Sequence, residues 1–355
     1  MSTTEIAERP EVVVLAAASA HTPKSADDAL RAFGFDDSVL APLRMFGFIT
    51  HSAGEWQFEP GLRKQVLANV SRNDDLWLRA NRHYLSLAGS SAAGTPAYLA
   101  TGAGRAYHST ELSPATGARE YRDVADVDSL AINIQGLTLA EEQTERGLIE
   151  VDSTDVLFLR AMTAYRSQRE AEAIALFREF LEHDDESREA AIAQHLVAHW
   201  DCQHTAPNKN ENFIPLFKKS LRSGVRLKDS WHQAQVLHST ALCIAKQKPK
   251  NVQQAIKLLL RSLDLLTEAD DQWGRAKVLH SLGQILGRMP GMYKQAHSRL
   301  AESRQIGLDL GYEGHVRQVD ASMSALKDRK PSESSRRRVA RKQQEKPLKN
   351  DHRSM

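Results

Sequence analysis

The sequence predicts an all-α fold: a solenoid of stacked helix-turn-helix units behind a small N-terminal module of helices and one short hairpin. Three observations predict it. Trp231, Ala234, Val236, Leu237, His238 and Ser239 recur 42 residues later as Trp273, Ala276, Val278, Leu279, His280 and Ser281. A period in that range marks supersecondary units that bury their apolar faces only by stacking. Breakers divide each copy in two, Pro249 and Asn251 in one and Pro290 and Gly291 in the other, where a helical hairpin has to turn. Small residues stand where the two helices of a pair would cross, Ala241 or Gly283 on the first and Ala255 or Ala296 on the second. Ala and Gly let the axes approach while Leu and Ile fill the sides.

From the N-terminus, residues 1–10 are expected to be disordered. The apolar run Val12 to Ala18 follows Glu5, Glu8 and Glu11 and is too short to span a bilayer, so it predicts a buried helix rather than a leader or an anchor. Helices are expected at about Ser25–Phe33 and Asp37–Phe46. A hairpin then alternates through Phe48 and Ile49, turns at Ser52, Ala53 and Gly54, and leaves through Trp56 and Phe58; a helix over Gly61–Val70 closes the module. Helices followed by a two-stranded wing give a winged-helix order over residues 11–72. Residues 73–326 are expected to be helical repeats. Between 73 and 150 the pattern is weak, with Leu76, Leu85, Leu99, Tyr107, Leu130, Ile134 and Leu137 suggesting helices and Gly102, Gly104, Pro114 and Gly117 interrupting them. Further upstream units are read from Phe213, Phe217, Ser220 and Leu221, and from Ala161, Ala173 and Phe177 at residues 155 to 181.

Two residue sets carry resemblances. Gly283, Leu286, Ala296, Leu300 and Ser303, and likewise Ala241, Ile244, Ala255, Leu259 and Ser262, resemble the tetratricopeptide repeat (TPR) pattern, a small residue on helix A and then Ala, a bulky residue and a small residue on helix B. The helix B residues are displaced by one or two positions, because the period exceeds the 34 residues of the standard form, and this longer period looks like the repeats of regulatory signalling ATPases. The stretch around Leu40, Leu43, Phe46, Gly47 and Phe48 is similar to the winged-helix connector of STAND or NB-ARC signalling ATPases. No Gly-rich loop ending in Gly-Lys-Ser or Gly-Lys-Thr occurs in this sequence, so the phosphate cradle is missing and no NTPase activity is expected. The resemblance then implies a connector and a sensor that act beside a separately encoded signalling ATPase.

Charge divides the chain unevenly. Residues 327–355 carry 11 Lys and Arg against 4 Asp and Glu, while the remainder carries 36 against 41, so the overall net charge of +2 hides an acidic body and a basic tail. The tail is expected to be disordered and could meet nucleic acid, an anionic membrane or an acidic protein. With two cysteines, Cys202 and Cys243, no disulfide framework is expected, and a reducing, cytoplasmic setting follows.

The expected function is protein interaction: an adaptor or sensor that is not an enzyme and needs no cofactor, holding a protein or peptide partner within a regulatory complex. If the units are TPR-like, their helix A faces line the groove. That places Gln235, His238, Leu242 and Lys246, then Lys277, His280, Gln284 and Arg288, along one wall. Such donors suit acidic side chains or a free carboxylate, and the histidines are expected to make binding pH dependent. One alternative is a DNA-binding transcriptional regulator, against which stand Asp36, Asp37, Glu55 and Glu59 facing phosphate with Arg44 alone. A second is a zinc-dependent enzyme built on His195, His199, Cys202 and His204, although no Glu follows His195 as a metalloprotease helix requires. The stretch Gly102, Gly104 and Arg105 follows a helical rather than a strand pattern, which removes it as a nucleotide loop.

Overall fold

The computed structural model describes residues 3–20, 26–52, 55–71, 74–89, 100–150, 153–206 and 213–328. They form two compact units, Met1–Ala193 and Gln194–Met355. Both are helical, with one two-stranded sheet among the described residues.

The N-terminal unit opens with α1 (Thr3–Ala7) and α2 (Pro10–Ala18). Residues 1–10 were expected to be disordered, yet Ile6 and Ala7 of α1 are buried in the core. Residues Val12 to Ala18 are all buried, the interior helix that the run predicts. Next come α3 (Ala26–Arg31), a 3-10 turn at Asp37–Val39, α4 (Leu40–Met45), β1 (Ile49–Ser52), β2 (Glu55–Phe58) and α5 (Pro60–Asn69). Short helices, a two-stranded hairpin and a closing helix follow each other in the expected order, although Ala53 and Gly54 of the hairpin turn lie outside the described residues. The strands pair antiparallel, Ile49 opposite Phe58 and His51 opposite Trp56. Period-two alternation puts Ile49, Trp56 and Phe58 into one core with Leu30, Leu40 and Leu62.

That core does not stop at residue 72. Trp77, Ala80 and Tyr84 of α6 (Asp75–Ala88) are buried in the same cluster. The unit continues with α7 (Gly102–Leu112), α8 (Pro114–Gly117), α9 (Glu120–Asp126), α10 (Leu130–Glu145), α11 (Thr154–Arg166) and α12 (Glu170–His183). Gly102 and Gly104 were expected to interrupt a helix and instead form the first turn of α7, buried there. At Gly117 a Cβ would lie 2.2 Å from the Thr110 backbone nitrogen, so glycine is what lets α8 fold back on α7. Leu99 lies outside the described residues. The α11–α12 hairpin is the one read from Ala161, Ala173 and Phe177, all three fully buried.

The helix α13 (Arg188–His204) leads into the C-terminal unit, followed by α14 (Phe213–Arg226), α15 (Ser230–Gln247), α16 (Val252–Glu268), α17 (Gln272–Leu286), α18 (Tyr293–Asp309) and α19 (Glu313–Asp328). Paired helices share one apolar cluster through Ala241, Ala255, Leu259, Leu282, Ala296 and Leu300. A Cβ on Gly283 would sit 2.7 Å from Leu300 Cγ, the close crossing that the small residue predicts.

One turn recurs between hairpins. Lys228, Asp270 and Gly311 each adopt positive φ, at 55, 52 and 73°. At each, the following amide closes the preceding helix: Asp229 N to Gly224 O, Asp271 N to Leu266 O and Tyr312 N to Gly307 O, all 2.9 Å. These are Schellman closures. Asp229 and Asp271 then cap the next helix, accepting from His232 N at 2.8 Å and Gly274 N at 2.7 Å.

Replacing Gly283 by Val should cost about 1–3 kcal/mol, because the branch meets Leu300 and the Ala296 carbonyl and overpacking exceeds the gain in helix propensity. A urea midpoint lowered at unchanged slope is the expected reading.

Candidate functional site

The predicted groove residues lie on α15 and α17, with Arg288 just past the end of α17. Successive first helices of each hairpin are tied by rungs between imidazole and hydroxyl: His195 Nε2 to Ser239 Oγ, His238 Nε2 to Ser281 Oγ and His280 Nε2 to Ser322 Oγ, each 2.8 Å. The second helices add their own ties. Ser262 and Ser303 hydroxyls donate to the carbonyls of Ala234 and Ala276, each at 2.8 Å. Ser220 Oγ and Ser303 Oγ lie 2.9 Å from His232 Nε2 and His315 Nε2.

His238 and His280 therefore belong to the wall of the stack more than to its surface. Burial, then the Lys277 ammonium and neighbouring imidazoles, pushes His238 down to about 4. Burial and His315 push His280 down to about 4. Burial and three other histidines push His195 to about 3. All three rings are neutral at physiological pH, which corrects the expectation of a charge change near neutrality.

The polar members stand further out. Lys246, Gln284 and Arg288 are exposed, and Gln235 and Lys277 are half-buried. Lys246 Nζ donates to Gln203 O at 2.8 Å and to Gln203 Oε1 at 3.1 Å, so its charge meets no carboxylate there. Gln284 Nε2 donates to Ser322 Oγ at 3.0 Å. Lys277 Nζ lies 5.4 Å from the centre of the Trp273 ring, a cation–π position. Gln284 and Arg288 also line a small cavity of about 120 Å³ with Leu300, Ser322 and Leu326.

The zinc candidates do not converge. Cys202 is joined to Cys243 in a disulfide with Cα atoms 6.0 Å apart, inside the apolar cluster of Ala198, Phe213, Phe217 and Val236. This bond corrects the expectation that the two cysteines imply no disulfide. His195 is held by Ser239, while His204 stacks on Trp200 at 3.6 Å and bonds its carbonyl at 2.9 Å. Among the described residues no three His, Cys, Asp or Glu side chains are grouped as metal ligands.

The DNA-facing reading fares similarly. Helix α4 has six residues, and its Arg44 lies 3.6 Å from Asp27. Glu59 is occupied as the N-cap of α5, accepting from Gly61 N at 2.8 Å. Of the basic tail, only residues 327 and 328 are described. No helix among the described residues is long and apolar enough to cross a membrane.

A larger concavity, about 1070 Å³, lies in the N-terminal unit between the hairpin, α5 and α10, lined by Trp56, Phe58, Leu67 and Leu139 with Arg63 and Glu142. Sequence reading gave no hint of it. Arg63 forks onto Glu142 at 2.8 and 2.9 Å and also bonds the Ala16 carbonyl and the Ser19 hydroxyl, so the floor of the groove is already neutralised. Lys64 lies 3.5 Å from Glu145 and Arg146 bonds Glu111. The apolar side chains of the concavity thus stand beside charged groups at its rim, Lys64, Glu141 and Glu145 among them.

No protein-family model matches the chain, and no curated protein matches it. Among solved structures, a signal transduction ATPase with numerous domains (STAND) protein with a tetratricopeptide repeat sensor, from Pyrococcus horikoshii, is similar with a TM-score of 0.59 and 14% identity. The match covers 91% of this chain and 48% of that one, so this chain spans about half the length of that protein. At this identity the likeness is one of fold, and the fold is an all-α, TPR-like helical solenoid.

The depressed histidines fix a sign. Their folded pKa values lie below the unfolded value near 6.5, so the unfolded chain takes up protons first as pH falls. The stability they contribute is present above about 6.5 and is lost as pH drops toward 4. Thermal midpoints should fall over that window, and His238→Gln should flatten the slope by on the order of 1 kcal/mol after solvent screening.

Proposed function

We propose that the chain is a non-catalytic adaptor or sensor of a regulatory complex, and that its C-terminal unit holds a protein or peptide partner along the first-helix face of its hairpins. The observation that carries this reading is a row of cationic and amide donors on a wall fixed by hydrogen-bonded rungs. Lys246 and Arg288 are exposed, and neither has an ion-pair partner among the described residues. Lys277 stands between them in sequence, on a helix tied to both neighbours.

Gln235, His238, Lys246, Lys277, His280, Gln284 and Arg288 make up the proposed groove, with a division of labour. The histidines hold the helices in register, and Lys246, Lys277, Gln284 and Arg288 meet the partner. Rigid donors on packed helices lose little entropy on binding, and charge-assisted bonds favour acidic side chains or a terminal carboxylate. A signalling role is supported by the fold likeness to a STAND protein with a TPR sensor. With no phosphate-cradle motif in this sequence, the proposal includes a separately encoded signalling ATPase as the enzyme beside which the chain works. The N-terminal module serves here as a packing connector, since its Arg44 and Glu59 are engaged within the module.

The test is binding of the intact chain to an array of acidic peptides with free C-termini. Lys277→Glu combined with Arg288→Glu should weaken retention at least about tenfold and reduce its salt dependence. Equal retention by the double variant would contradict the assignment.

A further inference from the structure

The three turns that join hairpin to hairpin in the C-terminal unit form one apolar edge. At the first, Val225, Leu227 and Trp231 are 58, 42 and 47% exposed; at the third, Leu308, Leu310 and Tyr312 are 47, 41 and 46% exposed. The middle turn links them. Trp231 Nε1 donates to Asp271 Oδ2 at 3.0 Å, and the Trp273 ring lies 4.4 Å from that of Tyr312. The repeated positive φ at Lys228, Asp270 and Gly311 gives the turns one shape, so their tips follow each other along the stack. Water-exposed apolar side chains gathered this way mark an interaction surface.

Charge along the edge has a direction. Residues 213–228 contain no Asp or Glu, and Arg222, Arg226 and Lys228 are exposed at the first turn. Beyond Trp231 the sign reverses, with Glu268 and Asp270 exposed at the second turn and Asp309 at the third. An anionic membrane or a nucleic acid would be attracted by one end and repelled by the other.

We propose that this edge is a dimer interface whose occupant is a second copy of this chain, related by a two-fold axis between the first and middle turns. A two-fold interface is self-complementary, each patch meeting its counterpart twice. Turning one copy through 180° about that axis lays Arg226 and Lys228 of each first turn over Glu268 and Asp270 of the partner's middle turn, and does so at both ends. The same rotation covers Val225, Leu227 and Trp231 of each copy, which removes exposed apolar groups from water. A head-to-head parallel arrangement would set cation against cation. The edge precedes the N-termini of the first helices, whereas Lys246 and Arg288 lie at or just past their C-terminal ends. Arg226, Lys228, Glu268 and Asp270 are not among the proposed groove residues, so the dimer and the groove are tested by different variants.

Sedimentation equilibrium of the intact chain over micromolar concentrations tests the proposal. Wild type is expected to dimerise. Arg226→Glu with Lys228→Glu should weaken association at least about tenfold, and so should Glu268→Lys with Asp270→Lys. Mixing these two variants should restore association to within a few-fold of wild type, because each then meets opposite charge at both ends. Leu227→Ser, a substitution outside the core, should weaken the dimer without changing helical circular dichroism. A wild-type chain that stays monomeric throughout would overturn the proposal. So would variants that dimerise unchanged, a mixture that fails to re-associate, or a monomeric chain captured by phosphatidylserine vesicles.

Discussion

The C-terminal unit depends on register between hairpins. Apolar packing alone would let one helical pair slide along the next, since Leu and Ile surfaces at 3.6-residue spacing offer several near-equivalent seatings. Directional bonds remove that freedom. The rungs from His195, His238 and His280 to Ser239, Ser281 and Ser322 tie first helix to first helix. Ser262 and Ser303 tie second helices to the carbonyls of their partners. Each bond contributes only about 1 kcal/mol net, but an unmade one leaves a buried polar group unsatisfied. Shifted registers are therefore penalised more strongly than the correct one is rewarded.

The N-terminal unit meets a related problem with charge. Arg122 reaches Asp155, and its Nη1 lies 3.1 Å from Asp184 and 3.3 Å from Glu189, so a single guanidinium gathers the starts of α11 and α13 and the end of α12. Arg63 does the same for α2, α5 and α10. A guanidinium suits this place because it presents several donors in a fixed plane and cannot escape its penalty by losing a proton. Removing Glu142 would leave the buried Arg63 cation without its carboxylate, whereas Arg122 would keep two of its three carboxylate partners after any single loss.

Much of this architecture was legible in the chain. The repeated Trp, Ala, Val, Leu, His and Ser, the breakers at 249–251 and 290–291, and the small residues at Ala241 and Gly283 located the hairpins and their crossing points. The rungs were not read, because the self-match showed that His238 and Ser281 recur without showing that one bonds the other across a period. Asp229 and Asp271, one period apart, were an available signal for the repeated caps. The disulfide had a comparable sign: its cysteines are separated by 41 residues, close to one period, which sets them side by side on neighbouring helices. Gly102 and Gly104 were misread as breaks because a glycine buried within a helix looks the same in sequence as one that ends it. The broad concavity beside Trp56 could not be foreseen, since it arises from helices separated by some 80 positions, as in the Arg63–Glu142 bridge.

The neutrality of the rungs has a consequence for the proposed groove. A histidine on a binding wall would ordinarily change the charge offered to a partner as pH crosses neutrality. Here burial holds His238 and His280 uncharged down to about 4, so the two rings add no charge to that wall between pH 7 and pH 5. The acid sensitivity they bring enters through the stack itself, as the unfolded chain gains protons that the folded one refuses. On the proposed reading the two tasks are separated along the same helices: Lys246, Lys277 and Arg288 would meet the partner, and the uncharged rungs set the spacing between the helices.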